Sequence, residues 1–156
     1  MNLTRQIATQ FRQLYFGDNW TGVNVKDSLA GVNWEQANTR VDSLNTIVKL
    51  VYHLNYYVVV VTKVLKGEAL YASYKYSFDH PPVQSPEDWE YLLNKIWTDA
   101  ENFATLLEQL PEEKLWETFA DGKYGTYYRN IQGIIEHTYY HLGQIALIKK
   151  LVISGI

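Results

Sequence analysis

The chain has 156 residues, enough for one domain with a sizeable core, and carries a net charge of −3 with 47% hydrophobic residues. Its 14 Lys and Arg are scattered, with no basic stripe to follow a phosphate backbone, so nucleic-acid binding is not expected. The absence of cysteine excludes disulfides, thiolate metal sites and cysteine nucleophiles together, and fits a reducing cytoplasm.

The start, Met1-Asn2-Leu3-Thr4-Arg5, lacks a basic patch followed by an unbroken apolar stretch, so no signal peptide is expected. Leu3, Ile7, Phe11 and Leu14 or Tyr15 recur at helical spacing and predict a first helix over about 3–16, closed by Gly17 and Asp18. A connecting stretch, 19–42, follows. It holds a short helix near Val25–Ala30 and a turn at Gly31-Val32-Asn33, with Trp34, Ala37 and Val41 packing it onto the body.

The second long helix is predicted from about Leu44 to Lys66. Leu44, Ile47, Val51, Leu54, Val58, Val61 and Leu65 form its seam, with Ser43 as cap and Gly67 as stop. Taken alone, Tyr56–Thr62 would read as a strand because it is rich in Val. The helical repeat on both sides overrides that reading. The run Tyr56–Val61 is too short to span a bilayer, so a soluble intracellular protein is expected.

Residues 68–84 read as a loop because Pro81-Pro82 forbids helix. Ser85-Pro86-Glu87-Asp88 opens the third long helix: a serine cap, proline in the first turn, and acids at the positive end of the dipole. Its stripe is Trp89, Leu93, Ile96, Ala100, Phe103, Leu107 and Leu110, and Pro111 stops it. A short turn at Glu112–Trp116 and a turn at Gly122–Gly125 lead to a fourth long helix, from Thr126 or Tyr127 to about Leu151. The expectation is an all-α, single-domain chain over residues 1–156. Four long helices form a bundle, and up-down-down-up and up-down-up-down are both compatible with its long connections.

The fourth long helix carries the chemistry. Its apolar seam is Ile131, Ile135, Thr138, Leu142 and Ile145, and His137, His141 and Gln144 lie on the adjoining stripe. Histidines four apart stand one turn apart on one face and can chelate one divalent ion. His53, near the middle of the second long helix, can join them if the two helices pack. Three imidazoles suit Zn, Ni, Cu or Fe and leave a position for water or a small-molecule substrate. Asn130, Glu136 and Gln144 are candidates for the outer shell, although Glu136 points about 100° away from His137. His80, in the proline-rich loop, reads as an exposed loop residue. The tyrosines at 71, 74, 76, 127 and 128 read as packing or as a pocket lining.

These residues resemble the DinB-like superfamily of metal-binding helical bundles. The likeness rests on His137-x-x-x-His141-x-Gly143-Gln144, Trp34-Glu35-Gln36-Ala37, Asn45-Thr46-Ile47, Val51-Tyr52-His53-Leu54 and Ser85-Pro86-Glu87-Asp88-Trp89. The resemblance implies His53, His137 and His141 as ligands of nickel or zinc, an up-down-down-up topology and a homodimer. Some such proteins are thiol-dependent transferases or isomerases using bacillithiol, mycothiol or glutathione. No basic cluster for the carboxylates of such a thiol stands out here; Lys149 and Lys150 favour a helix C-terminus, and Arg129 lies near a helix start. Three readings stay open: a metal-dependent hydrolase or thiol transferase, a non-catalytic metal-binding or stress-related interaction protein, and a bundle whose histidines are structural.

Overall fold

The structure, a computed structural model, describes residues 2–155. Its regular structure is helical: α1 (Leu3–Phe16), α2 (Val25–Leu29), α3 (Trp34–Asn38), α4 (Ile47–Leu65), α5 (Pro86–Gln109) and α6 (Tyr127–Ser154), with 3-10 turns at Tyr76–Phe78 and Glu112–Trp116. A single antiparallel bridge pairs Thr118 with Thr126 among the described residues.

Local chemistry sets the ends of these helices. Asn2, Asn24, Asn33, Thr46, Ser85 and Thr126 each accept a backbone N–H with a side-chain oxygen, satisfying one of the donors left free in a first turn. Two boundaries differ from the sequence expectation. α4 begins at Ile47 under Thr46, not at Leu44 under Ser43, because Asp42 takes a left-handed φ of 49° and Leu44 N–H closes a turn onto the Val41 carbonyl. Leu44 is therefore 40% exposed and outside the seam. α6 runs one turn further than expected, to Ser154, and ends on Gly155 in the left-handed conformation at φ 70°. The stretch expected only to pack also forms a helix: α3 is held by a reciprocal capping box between Asn33 and Gln36.

The long helices pack as neighbours in the order α1–α5–α4–α6, with α6 also touching α1. Along α1 and α5 the contacts run in opposite senses. Thr4 bonds the Leu110 carbonyl at 3.2 Å, Arg12 pairs with Glu108 and Glu101, and Phe16 meets Trp97 at 5.9 Å. Along α4 and α6 they do so again: Leu50 shares a cleft with Gln144 and Ile148, His53 meets His137 and His141, and Val61 shares a cavity with Asn130 and Ile134. The core between them is closed by Phe11, Tyr15, Ile47, Leu50, Ile96, Phe103, Leu107, Ile131 and Leu142, all essentially inaccessible to water.

By length and composition α4 could cross a membrane, but 61% of its apolar window is buried inside the protein, as in a core helix. Its buried face includes His53 and Asn55, and Asn55 Nδ2 donates to Asp99 of α5 at 2.7 Å. Two buried polar side chains in so apolar a helix need partners inside the protein. For Asn55 that partner is the α5 carboxylate. The partners of His53 form the site described next.

Candidate metal centre

His53 lies mid-way along α4, and His137 and His141 lie one turn apart on α6. Because α4 and α6 are neighbours, the three rings meet: the His137 Nε2 stands 3.1 Å from the His53 Nε2 and 3.0 Å from the His141 Nε2. One nitrogen from each residue falls within a 4.8 Å group able to hold a single ion. His53 and His141 are buried, at 3% and 7% exposure, and His137 is half-buried.

The far nitrogens fix the tautomers. Ser77 Oγ–H donates to the Tyr74 carbonyl at 2.7 Å, so its oxygen can only accept from the His53 Nδ1–H, 2.9 Å away. The Gln144 amide oxygen accepts from the His141 Nδ1–H at 2.7 Å. Both rings therefore carry their proton on Nδ1 and aim an Nε2 lone pair at the Nε2 of His137. A neutral His137 has at most one hydrogen there, so protein donors alone cannot satisfy both lone pairs well. A cation among the three nitrogens resolves this. Nitrogens sharing a tetrahedral ion at about 2.0–2.1 Å would stand about 3.3–3.4 Å apart, so the two pairs that include His137 need to part by only a few tenths of an ångström.

Electrostatics keeps the rings available as ligands. Burial, reinforced by the neighbouring His137 and His141, lowers His53 from the ordinary 6.5 to about 4, although its bond to Ser77 acts the other way. Burial and His141 lower His137 to about 4 as well. His141 is lowered by burial, opposed by Gln144. At neutral pH all three are uncharged, the form that binds metal. With folded pKa values below the unfolded one, the unfolded chain binds more protons as the pH drops below 6.5, so folding weakens there. The metal-free protein is therefore expected to lose thermal stability between pH 6.5 and about 4. A His53→Gln variant, followed by circular dichroism across that range, should show a shallower decline; an unchanged profile would mean that His53 is not buried in its neutral form.

Aromatic packing sets the ring planes. Phe78 stacks on His53 at 4.0 Å and 13°, and Tyr57 meets His53 and His137 edge-on at 5.1 and 5.2 Å. The 3-10 turn at Tyr76–Phe78 thus supplies both Ser77 and Phe78, and the Ser73 N–H donates to the Tyr56 hydroxyl at 2.8 Å, tying the loop to α4. His53 and His137 form part of the wall of a cavity of about 510 Å³ that also meets Tyr57, Tyr74, Arg129 and Gly133.

Of the outer-shell candidates, Gln144 bonds a histidine. Asn130 instead caps backbone carbonyls at Tyr124 and Thr126, and exposed Glu136 pairs with Arg129 at 3.0 Å. His80 stands outside the histidine group and bonds the Pro81 carbonyl. Tyr74 lines the cavity, whereas Tyr71 and Tyr76 are 86% and 58% exposed. Ser77 and Phe78 were not foreseen, since only the folded loop brings them to α4. Gly133 and Arg129 were legible in principle: residues 129, 133, 137 and 141 form one four-residue stripe, and a glycine inside a helix costs about 1 kcal/mol relative to alanine. Searches of protein-family models, curated proteins and solved structures returned no match to this chain.

Proposed function

We propose that the chain is a divalent-metal-binding four-helix bundle of the DinB-like kind, with His53, His137 and His141 as ligands through Nε2. A fourth coordination position would face the cavity and admit part of a small molecule. The observation that carries this reading is the meeting of two tautomer-fixed, buried lone pairs at a third imidazole nitrogen. An up-down-down-up order is supported by the opposed contacts of α1 with α5 and α4 with α6. The turn after α5 adds to this, because Trp116 meets Tyr128 near the start of α6 at 5.3 Å. The family likeness also carries a homodimer and a cytoplasmic setting into the proposal.

Three neutral imidazoles suit Zn, Ni, Cu or Fe, and the family likeness singles out nickel or zinc among these. When bound, such an ion supplies a Lewis acid in a partly enclosed site. The chain's own residues do the rest. Ser77 and Gln144 hold the histidine tautomers, Phe78 and Tyr57 hold the ring planes, and Val61 and Ile134 give the cavity apolar wall. A Lewis acid held by three imidazoles serves hydrolysis, and the family likeness adds transfer from a small thiol. One observation favours a second reading, metal binding without turnover: among the described residues lining the cavity there is no Asp or Glu to act as general base.

Elemental analysis tests the shared core of both readings. Protein purified without a histidine tag, stripped by chelator and reconstituted with nickel or zinc should hold about one ion per chain, whereas less than about 0.2 would leave the histidines structural.

A further inference from the structure

The floor of the cavity beside the histidines has an unusual construction. Arg129, Gly133 and His137 follow one another at four-residue steps along α6 and line the cavity, with His141 one turn beyond them. Gly133 leaves that face open between Arg129 and His137. A Cβ placed there would lie 3.5 Å from the Arg129 Nη1, so the guanidinium lies against the bare backbone at the level of Gly133. The arginine therefore extends toward the histidines, and four residues of helix correspond to about 6 Å of rise between Gly133 and His137. Among the described residues lining the cavity, Arg129 carries the one formal charge; Tyr57, Tyr74 and Tyr124 add hydroxyls, and Val61 and Ile134 add apolar wall. Among the described residues Arg129 has a single ion-pair partner, Glu136 at 3.0 Å, and both side chains are about three-fifths exposed, at 61% and 62%. Such an exposed pair is weak and readily exchanged.

We propose that Arg129 is an anion-recognition subsite, and that the ligand of this cavity is a small organic carboxylate. Its carboxylate pairs with the guanidinium over Gly133, while a donor atom a few bonds away reaches the open side of the histidine group. This rests on the metal-centre reading above and names the substrate class for it. A planar carboxylate suits the guanidinium fork, which can hold it by two parallel N–H···O bonds. The separation of the two anchors selects compact molecules over long ones. Glu136 acts as an internal competitor that occupies Arg129 until a ligand arrives.

The test uses full-length cobalt(II)-loaded protein and two probes, 3-mercaptopropionate and its neutral analogue 3-mercaptopropionamide, each followed by the thiolate-to-cobalt charge-transfer band. Wild type should bind the carboxylate about tenfold more tightly than the amide. Arg129→Met should bring that ratio to about one while leaving cobalt affinity and amide affinity unchanged, and Glu136→Gln should raise carboxylate affinity several-fold. Equal affinity of the two probes in wild type, or a preference that survives Arg129→Met, overturns the subsite and leaves the metal centre standing. Failure of cobalt to bind overturns both; cobalt that binds but responds to neither thiol overturns the subsite and the open coordination position and leaves ion binding by the histidines standing.

Discussion

His141→Ala is expected to lower nickel or zinc affinity by at least about a hundredfold, roughly 3 kcal/mol or more, and to remove any thermal stabilisation by metal. His141 is the inner of the two α6 histidines, with 7% exposure, and its Nε2 lies 3.0 Å from that of His137. Its loss leaves His53 and His137, which come from different helices and lack the preorganisation of an i, i+4 pair. Gln144→Ala provides the graded control. It keeps all three imidazoles and removes only the acceptor at 2.7 Å that holds the His141 Nδ1–H, so a smaller loss of about 10–100-fold is expected. Competition with a chromophoric chelator measures both, and unaltered far-UV circular dichroism shows that each variant folds. Equal, small losses in the two variants would count against direct coordination by His141.

Phe103→Ala is expected to destabilise the fold by about 3–5 kcal/mol and to lower the thermal midpoint by roughly 10 °C. Phe103 is completely buried on α5 and meets Phe11 of α1 edge-to-face at 4.7 Å, with Phe11 in turn 4.6 Å from Tyr15. Deleting the ring opens a cavity that rigid neighbouring helices cannot close. The α1–α5 contact is made by a different pair of helices from the α4–α6 contact that brings the histidines together. Metal affinity of the still-folded variant should change far less than stability, because none of the three histidines lies on α1 or α5. A loss of less than about 1 kcal/mol by denaturant unfolding would contradict the packing described between α1 and α5.

The two variants also mark what the sequence could and could not say. Phe103 and Phe11 sit on apolar stripes that repeat every three or four residues, so their burial follows from periodicity. The limits of α1 and the start of α5 follow as directly, from Gly17 and from Ser85-Pro86. The helical stripe likewise placed His137, His141 and Gln144 on one face. The start of α4 was less legible because Ser43 and Thr46 are both competent caps; the left-handed turn at Asp42 decides between them. The α3 helix escaped because five residues carry too little periodicity, although Asn33 and Gln36 have capping-box spacing. Ser77 was beyond reach for a different reason. Its contact with His53 joins residues 24 apart in sequence, across the rest of α4 and the loop after it, and exists only once that loop folds back onto α4. Glu136 adjoins His137 in sequence, but adjacency on a helix is not proximity on a face; Asn130 shares the face and the cavity with His137, but its amide is taken by the Tyr124 and Thr126 carbonyls.

X-ray absorption at the metal K-edge of nickel- or zinc-loaded protein tests the central claim most directly. The account predicts three imidazole nitrogens at about 2.0–2.1 Å with at least one further, exchangeable light-atom donor. An ion bound by fewer than three imidazoles, or held mainly by carboxylate oxygens, would contradict it.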